Sequence, residues 1–389
     1  MININADLSP QLSNEIEQYV RQNVIPKVRL FSRQIPENDR NIFNELFSDD
    51  NIISLINSSP TELEENANNI YMRLPQLVER YHPYRHYSRI NEDLTTIENI
   101  NVRGNEELIS VKATAVLNEI NIINRSLPAS SFNYVINSLS ARTLGKKLDA
   151  LKRVQSFKRS RYKITQQDIN KLSPWLASPF DMFDYDSFRN LFNERIIESY
   201  NLTPCPFCAY DSVEIVRSAR KTYIPALDHF LPKSKYPFLA LSIHNLLPSC
   251  HRCNSSFKKE ADMLEHFHPK RDSVEQIDIF QFSVLPDTPF SSPEPSRMTV
   301  GINSNCPKLL KNSVIFELEG VYNLKNIKKK FLDMRERIEL YKSMGGTYID
   351  DILSNPEKIR LLLNVDLNAR PQDSPLQKFK IESLNSLRP

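Results

Sequence analysis

Four of the five cysteines fall as two Cys-x-x-Cys pairs, Cys205/Cys208 and Cys250/Cys253, with 41 residues between them. Four thiolates on two tight turns are the complement of a closed tetrahedral zinc site, architectural because no position is left open to water. In a chain of this size the pairs suit a metal better than a disulfide framework. Drawing them together would clamp the intervening loop. Within that clamp lie Asp228-His229 and Asn245, and directly after Cys253 stands Asn254, with Lys258-Lys259 behind it. An imidazole that titrates near neutral pH, hard oxygen donors and nearby ammonium groups are what phosphodiester hydrolysis requires: a water made nucleophilic, charge neutralised, a leaving oxygen assisted.

The order and spacing of these residues resemble the HNH endonuclease motif in its zinc-stapled form, with Asn in the last position. The resemblance runs from Cys205 to Lys259, a minor part of the chain, and rests on Asp228-His229, on Asn245 sixteen residues after His229, and on Asn254 nine residues further. An isolated Asp-His pair is more often a surface or capping feature; its embedding between the knuckles, with both asparagines in place, reverses that. The resemblance implies a ββα-metal unit in which Ala226 to His229 ends one strand, Leu246 to Pro248 forms the second, and a helix near the second knuckle carries Asn254. It implies His229 as general base, and Asp228 (on the opposite strand face) with Asn254 as ligands of one Mg²⁺ or Mn²⁺ at the scissile phosphate and the leaving 3′ oxygen. Asn245 would hold the loop and the imidazole by hydrogen bonds.

Arg252, Lys258 and Lys259 are candidate phosphate contacts, although a solvated helix face accounts for them nearly as well. His251 is expected to be exposed, since four sulfurs complete the zinc site. His266 and His268 are expected to be structural or substrate-side, and Cys306 an ordinary thiol. The expected substrate is double-stranded DNA, which the resemblance implies is cut to a 5′-phosphate and a 3′-hydroxyl. Two other readings stay open: a zinc-stapled nucleic-acid or protein-binding module without catalysis, and an HNH nuclease acting on RNA. The complete Asp228, His229, Asn254 set argues against the first.

Charge is distributed to match. Nine basic residues between Arg142 and Lys163 face one acid, and ten between Arg217 and Arg271 face four, although the whole chain carries only +3. Basic charge concentrated around the cysteines is the footprint of a polyanion binder. Glycine is scarce, 6 in 389 residues, and none belongs to a GxxxxGK or GxGxxG pattern, so a phosphate-cradling loop of those types is excluded and any ATP-driven step falls to a partner. The acidic start MININADLSPQLSNEIEQYV is not a secretory signal, no apolar run is long enough to span a membrane, and a cytoplasmic location is expected by default.

The elements that must position these residues read as mainly α with a small α+β part. Residues 1–165 form a helical N-terminal region, 166–284 the HNH domain with its knuckles, and 285–389 a linker and a strand/helix C-terminal region. Ser9-Pro10 opens a helix to about Val24, and the capping box Ser59-Pro60-Thr61-Glu62 opens another to about Tyr81. Tyr81 to Tyr87, dense in aromatic and basic groups, suits base stacking but is interrupted by Pro83 and reads better as structural surface. The basic run from Arg142 to Lys163 falls on an amphipathic helix that is either solvated or phosphate-contacting. A helix from Asp186 delivers the chain to the first knuckle. Ile277 to Val284 reads as a strand, Leu285 to Arg297 as a Pro/Ser connector, Val314, Phe316 and Leu318 as a short strand, and Leu324 to Tyr341 as a helix stopping at Gly345-Gly346. The helical front, the Tyr322-Asn323 strand-to-helix junction and Arg370-Pro371 resemble the larger bacterial HNH effectors of anti-phage defence, of Septu and retron-linked type, which work with an ATPase partner.

Overall fold

The computed structural model describes residues 2–126, 132–160, 162, 164–177 and 180–388. Helices begin where the sequence supplies caps. Ser9 accepts a hydrogen bond from the Leu12 amide with Pro10 in the first turn, and Ser59 and Glu62 close a reciprocal capping box at the head of Pro60–Arg73. The first helix, Pro10–Tyr19, does not stop at Val24. It widens by one residue over Val20–Val24, which accommodates Pro26, and continues as Ile25–Ser32. Its buried stripe, Leu12, Ile16, Val20, Val24 and Val28, keeps a four-residue step throughout.

Two prolines divide the segment after Pro60–Arg73. Pro75 and Pro83 each sit in the first turn of a new short helix, Pro75–Tyr81 and Pro83–Tyr87. The expectation that Tyr81 to Tyr87 is surface is overturned: His82, His86 and Tyr87 are buried, because the proline breaks fold their rings back onto Tyr71, Phe132 and Tyr236. The basic helix is Leu144–Phe157, buried along Leu148, Leu151 and Val154. Several cations of the basic run, within the helix and just after it, already have partners. Arg153 pairs with buried Asp168 at 2.6 Å, Arg159 pairs with Glu98, and Lys152 and Lys158 donate to the carbonyls of Ile100 and Glu92. Arg161 and Lys163 lie outside the described residues.

Helix makes up 57% of the structure and strand 6%, the latter forming three antiparallel pairs among the described residues. β1 (Val216–Arg217) pairs with β2 (Thr222–Tyr223) as an exposed hairpin. β3 (Ala226–His229) pairs with β4 (Leu246–Ser249), and β5 (Phe280–Val284) pairs with β6 (Met298–Ile302). Leu285 to Arg297 is therefore a hairpin loop between β5 and β6, and not a connector between separate units. The strand expected at Val314 to Leu318 is helical: Pro307–Ile315 and Leu318–Tyr322 flank Phe316-Glu317. Leu309, Asn312 and Phe316 are buried at helical spacing while Val314 is 72% exposed, so the apparent alternation tracked no sheet face. Tyr322-Asn323 is accordingly a helix-to-helix junction. Lys325–Ser343 follows, ending ahead of Gly345, whose φ of 126° few other residues would adopt.

One buried apolar cluster runs from Ile2 to Phe379 and takes in residues of all three sequence regions, and a smaller one joins Met334, Ile338 and Ile349 to Leu384. Among the described residues, no helix is long and apolar enough to cross a membrane.

Candidate metal centre and adjoining histidine

The two Cys-x-x-Cys turns meet. The four sulfurs of Cys205, Cys208, Cys250 and Cys253 all lie within 4.8 Å of one another and are buried. A tetrahedral ion with Zn–S bonds of about 2.3 Å needs sulfurs roughly 3.8 Å apart. Cys208 Sγ and Cys250 Sγ are separated by 3.9 Å, so the set can hold a metal ion and is compatible with zinc. Backbone amides are aimed at the sulfurs, Cys250 N–H at Cys205 (3.5 Å) and Cys253 N–H at Cys250 (3.4 Å), an arrangement that stabilises thiolate.

The first turn is closed by hydrogen bonds from Cys205 N–H to Asp211 O and from Ala209 N–H to Cys205 O, both 2.7 Å. Distant parts of the chain lock it: Tyr322 Oη donates to Cys208 O at 2.9 Å, Leu376 N–H to Ala209 O, and Ile2 N–H to Pro206 O. Arg252 pairs with Asp211 at 3.1 Å across the two turns, which gives it a role in the knuckle. His251 is exposed.

β4 leads directly into the second knuckle, and β3 lies beside it with Asp228 opposite Leu247 and His229 opposite Leu246. Strand alternation sends the two side chains to opposite faces. On one face, His229 packs edge-on against Tyr185, ring centroids 4.3 Å apart, and its Nε2 lies 2.9 Å from the Ala240 carbonyl. That carbonyl accepts, so Nε2 carries the proton and Nδ1 is the lone-pair nitrogen. Burial, with lesser contributions from Lys258 and Lys233, pushes the imidazole pKa down to about 3, and the ring is neutral at physiological pH.

Asn245 holds the loop that supplies Ala240. Its Oδ1 accepts from Leu231 N–H at 2.7 Å, and its Nδ2 donates to the carbonyls of Leu231 and Leu239 at 3.0 Å each. The amide is fully buried, and all three bonds span residues 231–239, next to the imidazole's acceptor. A cleft of about 470 Å³ opens beside this face, lined by Tyr185, Ala240, Lys233 and Asp184 among others.

On the other face stands a residue in an unexpected state. Lys258 is 1% exposed, and its Nζ donates to Asp228 Oδ1 at 3.0 Å and to the His229 carbonyl at 2.6 Å. It is thus not on a solvated helix face. Burial pushes the Asp228 carboxyl up and the Lys258 ammonium opposes that shift, while Asp228 Oδ2 is buried without a hydrogen-bond partner. Arg252–Lys258 is a wide helical turn: Asn254 N–H bonds to Cys250 O, and Lys259 N–H reaches back five residues to Asn254 O. Such widened turns recur at functional sites. Asn254 is half-buried, and its side chain makes no hydrogen bond among the described residues. Lys259 is exposed with φ 50°.

His266 and His268 part company. His268 is buried, Nε2 3.1 Å from the His244 carbonyl, while half-buried His266 has Nδ1 2.8 Å from Leu264 O. Cys306 is half-buried and unbonded to another cysteine. Tyr185 and the Ala240 carbonyl were not singled out in the sequence, and Asp228 and Lys258, named there as a metal ligand and a phosphate contact, were not expected to pair. A tyrosine at a helix start and a lysine in a basic run carry no spacing signal.

No significant similarity to a protein-family model, to a curated protein or to a solved structure was found.

Proposed function

We propose that this chain is a metal-dependent, HNH-type endonuclease that hydrolyses phosphodiester bonds in DNA, with zinc in the four-cysteine site. The observation that carries the reading is the state of His229. It sits on a strand hairpin whose far end is clamped by four cysteines, and its Nε2 is fixed on a carbonyl of the loop that Asn245 braces. A neutral imidazole with Nε2 occupied can accept a proton only at Nδ1.

The β3–β4 hairpin followed by the helical turn bearing Asn254 has the order of a ββα-metal unit. Asp228 and Asn254 are the residues that would hold a Mg²⁺ or Mn²⁺ ion. The unpartnered Asp228 Oδ2 and the unengaged Asn254 amide are oxygen donors of the kind such ions take. When bound, the ion supplies charge neutralisation at the phosphate. His229 takes the proton of the attacking water at Nδ1, Tyr185 and the Ala240 carbonyl keep the ring oriented, and Asn245 keeps the carbonyl in place.

One observation favours a second reading, a zinc-stapled binding module without catalysis. Lys258 already supplies Asp228 with a buried cation. Incubating the purified chain with supercoiled plasmid, single-stranded DNA and RNA, each with Mg²⁺, Mn²⁺ or EDTA, decides between them. Metal-dependent cutting of DNA supports the nuclease, and binding without cutting under any metal supports the module.

A further inference from the structure

Most cations of the basic run from Arg217 to Arg271 are engaged within the fold. Arg252, Lys258, Lys270 and Arg271 each hold a carboxylate, and Lys235 donates to the Ser160 carbonyl. Those without a partner among the described residues are Arg220, Lys221 and Lys259. Two of the three, Arg220 and Lys221, sit side by side at the tip of the β1–β2 hairpin.

Every residue from Val216 to Tyr223 is exposed, and none of them is acidic. Val216 stands opposite Tyr223 across the strand pair, so the two share a face, and Arg217 and Thr222 share the other. Arg217 ties the hairpin to the helix Tyr185–Tyr200 through Glu194 and Glu198. The opposite face is left bare: Val216 is 59% and Tyr223 52% exposed. A two-stranded hairpin is marginal in water without a third strand or a helix on its apolar face. Here the turn is nevertheless closed, with Ser218 N–H and Oγ donating to the Lys221 carbonyl at 3.0 and 2.8 Å, and Lys221 N–H donating back to Ser218 Oγ at 3.1 Å. The hairpin is thus an arm shaped in advance and anchored on one side, with a cationic tip and an apolar face that the fold does not cover.

We propose that β1 and β2 form an arm that enters the major groove of duplex DNA beside the bond to be cut, a substrate taken from the nuclease reading above. The major groove is about 12 Å wide and 8.5 Å deep and admits a two-stranded ribbon. Three steps of about 3.3 Å from Val216 to the turn give a reach of about 10 Å. Arg220 and Lys221 meet phosphates at the groove walls, and Tyr223 with Val216 lies against the base edges. Ile224 and Pro225 join β2 to β3, and six residues from Tyr223 to His229 span at most about 20 Å, so the arm sits within one duplex turn of the histidine. The deep, narrow major groove of A-form RNA admits no such ribbon, which makes the arm selective for DNA.

The test is fluorescence anisotropy of the full chain with a labelled DNA duplex, without added Mg²⁺ or Mn²⁺, against single-stranded DNA and an RNA duplex, over a range of salt. It is repeated on the double variant Arg220→Gln/Lys221→Gln and on Tyr223→Ser, exposed positions where melting temperature and zinc content should match the parent. The double variant is expected to bind duplex DNA at least about tenfold more weakly and to lower the slope of log affinity against log salt by roughly 2, one for each phosphate contact. Tyr223→Ser should weaken binding without changing that slope, and the parent should shield guanine N7, a major-groove atom, from dimethyl sulfate. Unprotected guanine N7, equal binding of the RNA duplex, or a double variant that binds as the parent does overturns the proposal. Binding through the arm by a chain that cuts no DNA under any metal would refute the nuclease and keep the arm, whereas cutting with binding indifferent to these substitutions would refute the arm alone.

Discussion

Lys258 Nζ stands 3.0 Å from Asp228 Oδ1 with both side chains sealed from solvent. Removing one partner of such a pair leaves a buried charge without compensation, at a cost of about 3–5 kcal/mol. Lys258→Met is therefore expected to lower stability by that order in urea unfolding, and the double substitution with Asp228→Asn to recover much of it. If Asp228 is also a metal ligand, Mn²⁺ should stabilise Lys258→Met more than the parent, since the ion then has no resident cation to displace. Equal Mn²⁺ effects on the two proteins would remove the carboxylate from the metal site.

The four sulfurs predict about one equivalent of zinc bound per chain. Cys250→Ser should lose it, and the melting temperature should fall sharply, because metal binding contributes folding free energy directly and the first knuckle anchors Ile2, Tyr322 and Leu376. Elemental analysis showing unchanged zinc in the variant would contradict the four-thiolate site.

Asn245→Ala should strand the buried Leu231 amide and carbonyl, each costing about 1–3 kcal/mol, while the Leu239 carbonyl keeps its bond from Ser242 N–H. Asn245→Asp keeps the acceptor for Leu231 N–H but sets a buried carboxylate against the carbonyls of Leu231 and Leu239, so at neutral pH it should be at least as destabilised as Ala. Equal stability of all three proteins would show that the loop is held some other way.

Glu79 gives a pH signature. Burial raises its carboxyl from 4.5 to about 8, against the opposing hydrogen bond from Phe132 N–H. The folded protein thus retains a proton that the unfolded chain releases above about pH 4.5, and its stability contribution falls as pH rises from there to about 8. Glu79→Gln keeps an acceptor for Phe132 and does not titrate. It should be more stable than the parent at pH 8, with the difference closing toward pH 4.5 at roughly 1 kcal/mol per unit. A difference independent of pH would mean that Glu79 is ionised in the fold.

What could be read in advance followed local chemistry. The paired cysteines and the caps at Ser9 and Ser59 each carry their own spacing or turn signal, and the structure places them where that signal points; the strand at Ala226 to His229 was expected only from the resemblance. Lys258 was illegible because a lysine within a basic run looks solvated, and only the packing of the wide turn on β3 reveals its buried acceptors. Val314 to Leu318 misled because three apolar residues at alternate positions fit a strand and a helix boundary equally, and burial of Leu309 and Asn312 decided for helix. The β5–β6 pairing is long-range, and the Pro/Ser composition of its loop gave no hint that the chain returns at Met298.

His229 is the proposed general base on which cleavage depends. Supercoiled plasmid incubated with Mg²⁺ or Mn²⁺ should be nicked by the parent and left intact by His229→Ala, with the variant's zinc content close to the parent's and its melting temperature, lowered by the lost packing on Tyr185, still above the assay temperature. Nicking by His229→Ala at the parent's rate would contradict the assignment of this histidine as the general base.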